Sequence, residues 1–334
     1  VARLNVSLAV RTAARALSGG PIVTARHIPR ALRSTFGSVE TLDGWNGETA
    51  SYARARADGA PPLFVKYRRA LDFDARAFAR FQRETLYLRA FAPRVDVPHA
   101  ALLHAASDDA TRKAHVVLRD LTDETRGWGD LDERERLAKL PHFTAIVARL
   151  HGAWAGHAAL SEHPTFPWAP VKVAEKARAA LARVPAFGVP SDIEAAAKRL
   201  RAPNALETLL SAPTIATMTH GDLHFGQVLF SERGAYLVDY QHAGVAPLGF
   251  DLAHLLGLRL SLVERRALED EVLAAYARAL EPFGVKPDLH AELRVGAILN
   301  FVAMWRRSAR EPSETFRNLL VRAGVLLHDV GVTT

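Results

Sequence analysis

The alternation of apolar and polar positions changes character along the chain. Residues 37–67 run with a period near two: GSVETLD, ASYARARA and PLFVKYR are short stretches separated by WNGE and by Asp58-Gly59, which predicts half-buried strands. The Asp-Gly pair marks a tight hairpin, because its glycine takes the positive φ that such a turn requires. DARAFARFQRETLYLRAFAP shifts to helical spacing through Phe78, Phe81, Thr85 and Leu88, and Pro93 closes it. ALLHAA and AHVVLRDL, joined by the polar SDDATRK, return to strands. These runs predict a five-stranded antiparallel sheet with one helix, a small α+β unit.

From about residue 122 the period becomes helical. DERERLAKLPHFTAIVARLHGAWA reads as a long helix interrupted by its proline, the stretch 156–170 as a loop, and helices follow to about residue 210. A short strand pair in MTHGDLHFGQVLF (218–230) and AYLVDYQ (235–241) breaks the helical run. It turns at Glu232–Gly234 and places Asp222 and Asp239 on consecutive strands. Residues 251–330 are helical again. Ahead of the sheet, Val6, Val10, Ala13, Ala14 and Leu17 share one helical face, and VTARHIPRALRSTF reads as a second short helix. The division is a helical extension over 1–36, a sheet lobe over 37–121 and a helical lobe over 122–334.

Composition narrows the class. Hydrophobic residues make up 49% and charged residues 24%, as in a soluble globular protein. There is no cysteine, so disulfides and thiolate metal sites are excluded, which fits a reducing compartment and a cytoplasmic location. No apolar run approaches the ~20 residues that span a bilayer; VGAILNFVAMW (295–305) reads as a buried helix. The net charge of +7 lies almost wholly in residues 1–36, which hold Arg3, Arg11, Arg15, Arg26, Arg30 and Arg33 and no acid. No stripe of basic residues interleaved with aromatics marks a nucleic-acid groove.

Candidate chemistry starts with Asp222, Gln227 and Asp239. Two carboxylates and an amide oxygen near a strand pair form a hard-oxygen set suited to Mg²⁺, which fills its shell with phosphate oxygens and water. Metal with phosphate points to phosphoryl transfer, which also needs a lysine on the phosphates, a base for the acceptor and a backbone cover. Lys66 ends an apolar strand, Glu84 lies in the next helix, and WNGET offers the backbone of Gly47, Glu48 and Thr49 beside Gly44. Each residue alone has a plainer reading: a solvated lysine, a surface helix charge, hairpin glycines. Their joint occurrence in order carries the chemistry. His220 and His224 do not read as a metal pair, since their segment is loop-like. His220 is expected to brace that loop, and His151 to pack between helices.

HGDLHFGQVLF, AYLVDYQ and PLGFDLAHLL resemble the catalytic and metal segments of the aminoglycoside phosphotransferase and choline kinase superfamily. FQRETLYLRAFAP, VVLRDL and LVDYQ are similar to its ecdysteroid-kinase-like bacterial small-molecule kinases. The similarity covers roughly residues 38–310. It implies a protein-kinase-like two-lobed α+β fold, with a small antiparallel-sheet N-lobe and a large helical C-lobe, that uses ATP and Mg²⁺. Lys66 would hold phosphates with Glu84 paired to it, and Gly44, Gly47, Glu48 and Thr49 would cover them. Leu118, Arg119 and Leu121 would present backbone groups to adenine. Asp222 would orient or deprotonate the acceptor hydroxyl, Gln227 and Asp239 would bind the metal, and Asp251 would brace the catalytic loop.

Two departures stand out. Gln227 replaces the family's asparagine, and GWNGET has fewer glycines than a protein-kinase phosphate loop. The aromatic, mixed insert at 156–170 favours a small-molecule alcohol with apolar surface over an aminoglycoside. Gln227 also leaves open a nucleotide-binding pseudokinase acting as a regulator. A protein kinase lacks support, because no activation segment comes after LVDYQ.

Overall fold

The computed structural model describes residues 31–47, 50–68, 74–162, 168–232 and 234–332. The first expected helix, most of the second, and Glu48 and Thr49 lie outside the described residues. The chain divides into two compact units, Val1–Asp130 with Leu229–His242, and Leu131–Val228 with Ala243–Thr334.

In the first unit, β1 (Val39–Asn46), β2 (Ser51–Ala57), β3 (Leu63–Tyr67), β4 (Leu102–Asp108) and β5 (Lys113–Arg119) form one sheet in the order β1-β2-β3-β5-β4. Every pair is antiparallel. The β2–β3 hairpin turns at Asp58-Gly59, where Gly59 has φ +72. Alternation decides the faces. Ala53, Ala55, Leu63, Val65 and Val117 bury one face with Leu32 of α1 (Ala31–Phe36). Lys66, out of phase with Val65, turns away from that cluster, and its ammonium lies 5.6 Å from the Phe81 ring of α2 (Ala75–Leu86). The Asp74 side chain caps α2 by accepting from the N–H groups of Arg76 and Ala77 at 2.6 and 2.8 Å, and a π-turn over Tyr87–Phe91 extends the helix.

The segment 229–242, assigned by sequence to the helical lobe, packs with this first unit. β8 (Val228–Ser231) pairs with the two-residue β6 (Arg126–Gly127) and with β9 (Gly234–Leu237), and Leu237 bridges to His99. Tyr240 stacks on Tyr87, with centroids 4.1 Å apart.

The second unit is helical. Its α3 (Glu133–Trp154) begins at a capping box of Asp132 and Glu135 and continues through Pro141. The expected interruption is therefore absent. Proline removes one intrahelical hydrogen bond, at the carbonyl four residues back, and that position, Leu137, is exposed, where water can take the carbonyl. The short ladder of β7 (Ala216–Thr219) and β10 (Gly244–Pro247) lies among α4 (Pro170–Leu181), α5 (Ser191–Leu200), α6 (Ala205–Leu210), α7 (Gly249–His254), α8 (Leu262–Leu280), α9 (Leu289–Arg310) and α10 (Glu314–Asp329). α7 and α9 cross with backbones in contact: a Cβ on Gly249 would stand 1.9 Å from the Glu292 carbonyl oxygen, and one on Gly296 2.0 Å from that of Gly249. Among the described residues no helix is long and apolar enough to cross a membrane.

The strand pair carrying the two aspartates also differs from expectation. Asp222 lies in the loop after β7, before a 3₁₀ turn at Phe225–Gln227, and Asp239 lies just beyond β9. Asp239 has φ +66, a left-handed conformation incompatible with a continuing strand.

Candidate active site

The first unit encloses a cavity of about 570 Å³. One wall is aromatic: Trp45 stacks on Tyr52 with centroids 5.6 Å apart, and Phe64 lies 5.9 Å from each. Such a wall suits a planar ring. Leu118, Arg119 and Leu121, named from sequence, line the cavity. The N–H of Arg119 donates to the Ala101 carbonyl at 2.9 Å and that of Asp120 to Pro62 at 2.8 Å. Those two donors are committed within the protein.

Lys66 and Glu84, both buried, meet at 2.8 Å, and the Lys66 ammonium reaches Asp239 Oδ1 at 2.7 Å. Burial disfavours the charge on Lys66, but the carboxylates of Glu84 and Asp239 outweigh it and hold the amine above the ordinary lysine range. The left-handed turn at Asp239 aims its carboxylate at this pair, and Gln241 Nε2 donates to Asp239 Oδ2 at 2.9 Å. Three sequence-predicted residues thus converge in one unit, from positions as far apart as 66 and 239. Gly44 pairs with Ala53 within β1, and the neighbouring Asp43 and Trp45 reach the cavity. Gly47 is held closely, since a Cβ there would stand 2.6 Å from the Tyr52 ring.

Residues not singled out from sequence complete the cavity. Arg54 Nε donates to Asp120 Oδ2 at 2.6 Å, and its Nη2 to Asp123 Oδ1 at 2.9 Å. Gln241 closes the LVDYQ motif, so adjacency to Asp239 could have pointed to it. Nothing in the sequence ties Arg54 to Asp120.

The second unit presents Asp222, Gln227 and Asp251. Asp251, fully buried, accepts from the N–H of His220 at 2.6 Å and of Gly221 at 2.9 Å, and lies 3.1 Å from His151 Nε2. His151 Nδ1 in turn lies 2.6 Å from the Tyr276 hydroxyl. Burial alone would raise the Asp251 pKa, but His151 and the Gly221 N–H hold it below the usual carboxylate range. Gly221, at φ +84, makes the turn that hands the chain to Asp222. His151 is more than packing: it bridges an acid and a tyrosine that lie 100 and 125 residues further along the chain.

Asp222 is 27% exposed, and its Oδ1 receives a bond from Arg259 Nη2 and lies 3.1 Å from His254 Nε2. His224 Nδ1 caps the 3₁₀ turn by accepting from the Gly226 N–H at 3.1 Å, and its carbonyl accepts from the Gln227 N–H at 2.9 Å. Burial and the charge of Arg259 push His224 down to about 4, so it serves as a neutral acceptor. Gln227 is half-buried.

Asp239 offers a carboxylate, a hard donor that Mg²⁺ takes, and faces a buried lysine of the kind that grips phosphate. Within the first unit these two residues fit a magnesium–phosphate group; in the second unit Gln227 carries an amide oxygen of the same hard-donor class.

Comparison with known proteins decides the family. The sequence profile of the phosphotransferase enzyme family matches residues 45–294. The chain belongs to this phosphotransferase family. Its fold is shared with solved structures of low sequence identity. A protein of Ralstonia eutropha JMP134, provisionally assigned as an aminoglycoside phosphotransferase, superposes with a TM-score of 0.61 at 12% identity, covering 91% of this chain and 96% of that one. A choline/ethanolamine kinase family protein of Mesorhizobium loti gives 0.56 at 15% identity, covering 96% and 94%. Amicoumacin kinase hAmiN, solved with AMP-PNP, Ca²⁺ and Ami, gives 0.56 at 12% identity, covering 87% and 89%. No curated protein matches this phosphotransferase family member in sequence.

Proposed function

We propose that the protein transfers the terminal phosphate of ATP to a hydroxyl of a small molecule, with Mg²⁺, in a reducing compartment such as the cytoplasm. The observation that carries the reading is the buried Lys66–Glu84–Asp239 cluster in an aromatic-walled cavity. Amicoumacin kinase, of the same fold, holds AMP-PNP and a divalent cation, which supports a nucleotide here.

In this reading Lys66, kept charged and held by Glu84, binds phosphate oxygens. Leu118, Arg119 and Leu121 meet the base, and Gly44, Gly47, Glu48 and Thr49 cover the phosphates. Asp239 and Gln227 would hold Mg²⁺, which would supply positive charge to the transferring phosphoryl group. Asp222 orients the acceptor hydroxyl and takes its proton. The acceptor oxygen then bonds to the γ-phosphorus, and the bond to the bridging oxygen breaks with its electron pair on the diphosphate. Little covalent chemistry is asked of the protein, since positioning and charge neutralisation supply most of the catalysis.

The acceptor is proposed to be neutral or anionic, with apolar surface. Arg259 is paired with Asp222, so a polycation would meet like charge at the reacting hydroxyl. Gln227 supports a second reading, a nucleotide-binding pseudokinase, because its stem is one methylene longer than asparagine's and Mg²⁺ tolerates little geometric error.

A thermal-shift titration with ATP and GTP, with and without Mg²⁺, on wild type and Gln227→Asn separates the two readings. Nucleotide at ~100 times its Kd stabilises by about 2.7 kcal/mol. A magnesium-dependent ATP shift, followed by turnover that Asp222→Asn abolishes while nucleotide binding persists, is the expected result. Metal-indifferent binding with no turnover on any hydroxylated acceptor would establish the pseudokinase instead.

A further inference from the structure

Four side chains of the second unit form a chain ending at Asp222. Asn300 Nδ2 lies 2.9 Å from the backbone carbonyls of both Phe250 and Gly296. Two carbonyls can face only a donor, so the orientation of the amide is fixed. Its Oδ1 therefore points the other way, 2.9 Å from His254 Nδ1, and that nitrogen must carry the proton. The neutral His254 ring then has a bare Nε2. Arg259 Nε donates to it at 3.1 Å, and Arg259 Nη2 donates to Asp222 Oδ1. Asp222 Oδ1 and His254 Nε2, both acceptors in this state, tolerate their 3.1 Å approach because one guanidinium bonds to both.

We infer that Asn300, His254 and Arg259 are positioning residues that fix the Asp222 carboxylate, and that Asn300 does so by setting the tautomer of His254. The inference rests on the role proposed above for Asp222. Its physical content is a choice between two nitrogens. With the proton on Nδ1, Nε2 orients the guanidinium, whose flat fork grips the carboxylate in one direction. With the proton on Nε2, two donors would face each other and Arg259 would swing away. The guanidinium also places a positive charge against the Asp222 carboxylate, which suits an acid that orients a hydroxyl in a loose transition state needing little base strength. Outside the set, His224 senses the charges of Arg259, Asp222, His254 and His220. Arg322 lies one step behind, bonded to the carbonyls of Leu258 and Leu260.

The first test is spectroscopic and needs no substrate. The full chain labelled with ¹⁵N-histidine, with His254 assigned by its loss in His254→Gln, is examined by long-range ¹H–¹⁵N correlation at neutral pH. The expected result is the Nδ1–H tautomer; a dominant Nε2–H form overturns the inference. The second test is the pH profile of MgATP hydrolysis, with water as acceptor, in Arg259→Met. The expected loss in kcat is about 10- to 100-fold at unchanged KM for MgATP. The acidic limb should move to higher pH, because a carboxylate that loses a cation gains a proton more readily. An unchanged kcat and an unmoved limb would overturn the inference. If wild type hydrolyses no MgATP at any pH, the phosphotransfer reading is decided by the acceptor screen above, and the tautomer alone decides the brace.

Discussion

Each unit holds an acid among hydrogen-bond donors, and the two do so in opposite ways. Asp251 is fully buried and takes its bonds from two backbone N–H groups and a histidine that is itself anchored to Tyr276. None of these partners can leave without breaking the local chain path. Asp239 is 23% exposed, and its partners include the side chains of Lys66 and Gln241, which can turn toward a ligand. A buried acid satisfied by backbone serves the scaffold, whereas one satisfied by rotatable side chains at a cavity wall can exchange them for a metal or a phosphate.

The contrast can be broken hardest at Asp251. Asp251→Asn leaves a histidine and two N–H groups without their anion and is expected to cost about 3–5 kcal/mol of unfolding free energy, read as a lower urea midpoint at unchanged slope. Asp239→Asn should change stability by no more than about 1 kcal/mol, since Lys66 keeps Glu84, while lowering phosphotransfer at least about a hundredfold. Equal stability losses in the two variants would erase the distinction.

Next in size is Gly296→Ala. A methyl 2.0 Å from the Gly249 carbonyl oxygen must push α7 from α9, at a cost of about 1–3 kcal/mol. Because α7 carries Asp251, the variant should loosen the backbone amides of His220 and Gly221 in hydrogen exchange and leave the first unit's sheet protected.

His115 offers a control of different sign, as a buried base with no anion beside it among the described residues. Its ring stacks on His104 at 5.2 Å, and burial, with His104 beside it, pushes its pKa down to about 4. The unfolded chain takes up this proton near the ordinary value of about 6.5. The stability tied to the neutral ring is therefore complete above that value and is lost as pH falls toward 4. His115→Phe should flatten the stability profile over that window; a slope as steep as that of wild type would contradict the assignment. The smallest effect expected is a several-fold gain in Mg²⁺ affinity in Gln227→Asn, by calorimetry with a non-hydrolysable nucleotide.

Much of the first unit was legible from its own pattern. The two-residue period of 50–67, the Asp58-Gly59 turn and the spacing of Phe78 and Phe81 are local signals, and local signals specify strands and helices directly. Pro141 misled because propensity describes an average site, and this one is exposed at the carbonyl that proline orphans. The aspartates fell outside their strands because a positive φ at Asp239 leaves no trace in apolar spacing. The transfer of 229–242 to the first unit depends on Leu237 meeting His99 and Tyr240 meeting Tyr87, contacts between segments more than a hundred residues apart. Lys66, Glu84 and Asp239 were named through their order in a motif and lie in contact; Arg259, His254 and Gln241, whose contacts depend on who faces whom, were not named.

The π-turn after α7 has a consequence of its own. Leu255–Arg259 winds one residue more than an α-helical turn would, and Arg259 sits at its last position. Excising a single residue there would restore regular winding, rotating the downstream chain by about 100° and drawing it back about 1.5 Å, which would carry the guanidinium off Asp222. Such over-full turns recur at working sites. A one-codon insertion or loss in this turn therefore decides whether the arginine reaches Asp222, and it does so only with repacking of the buried Leu255, Leu256 and Leu258.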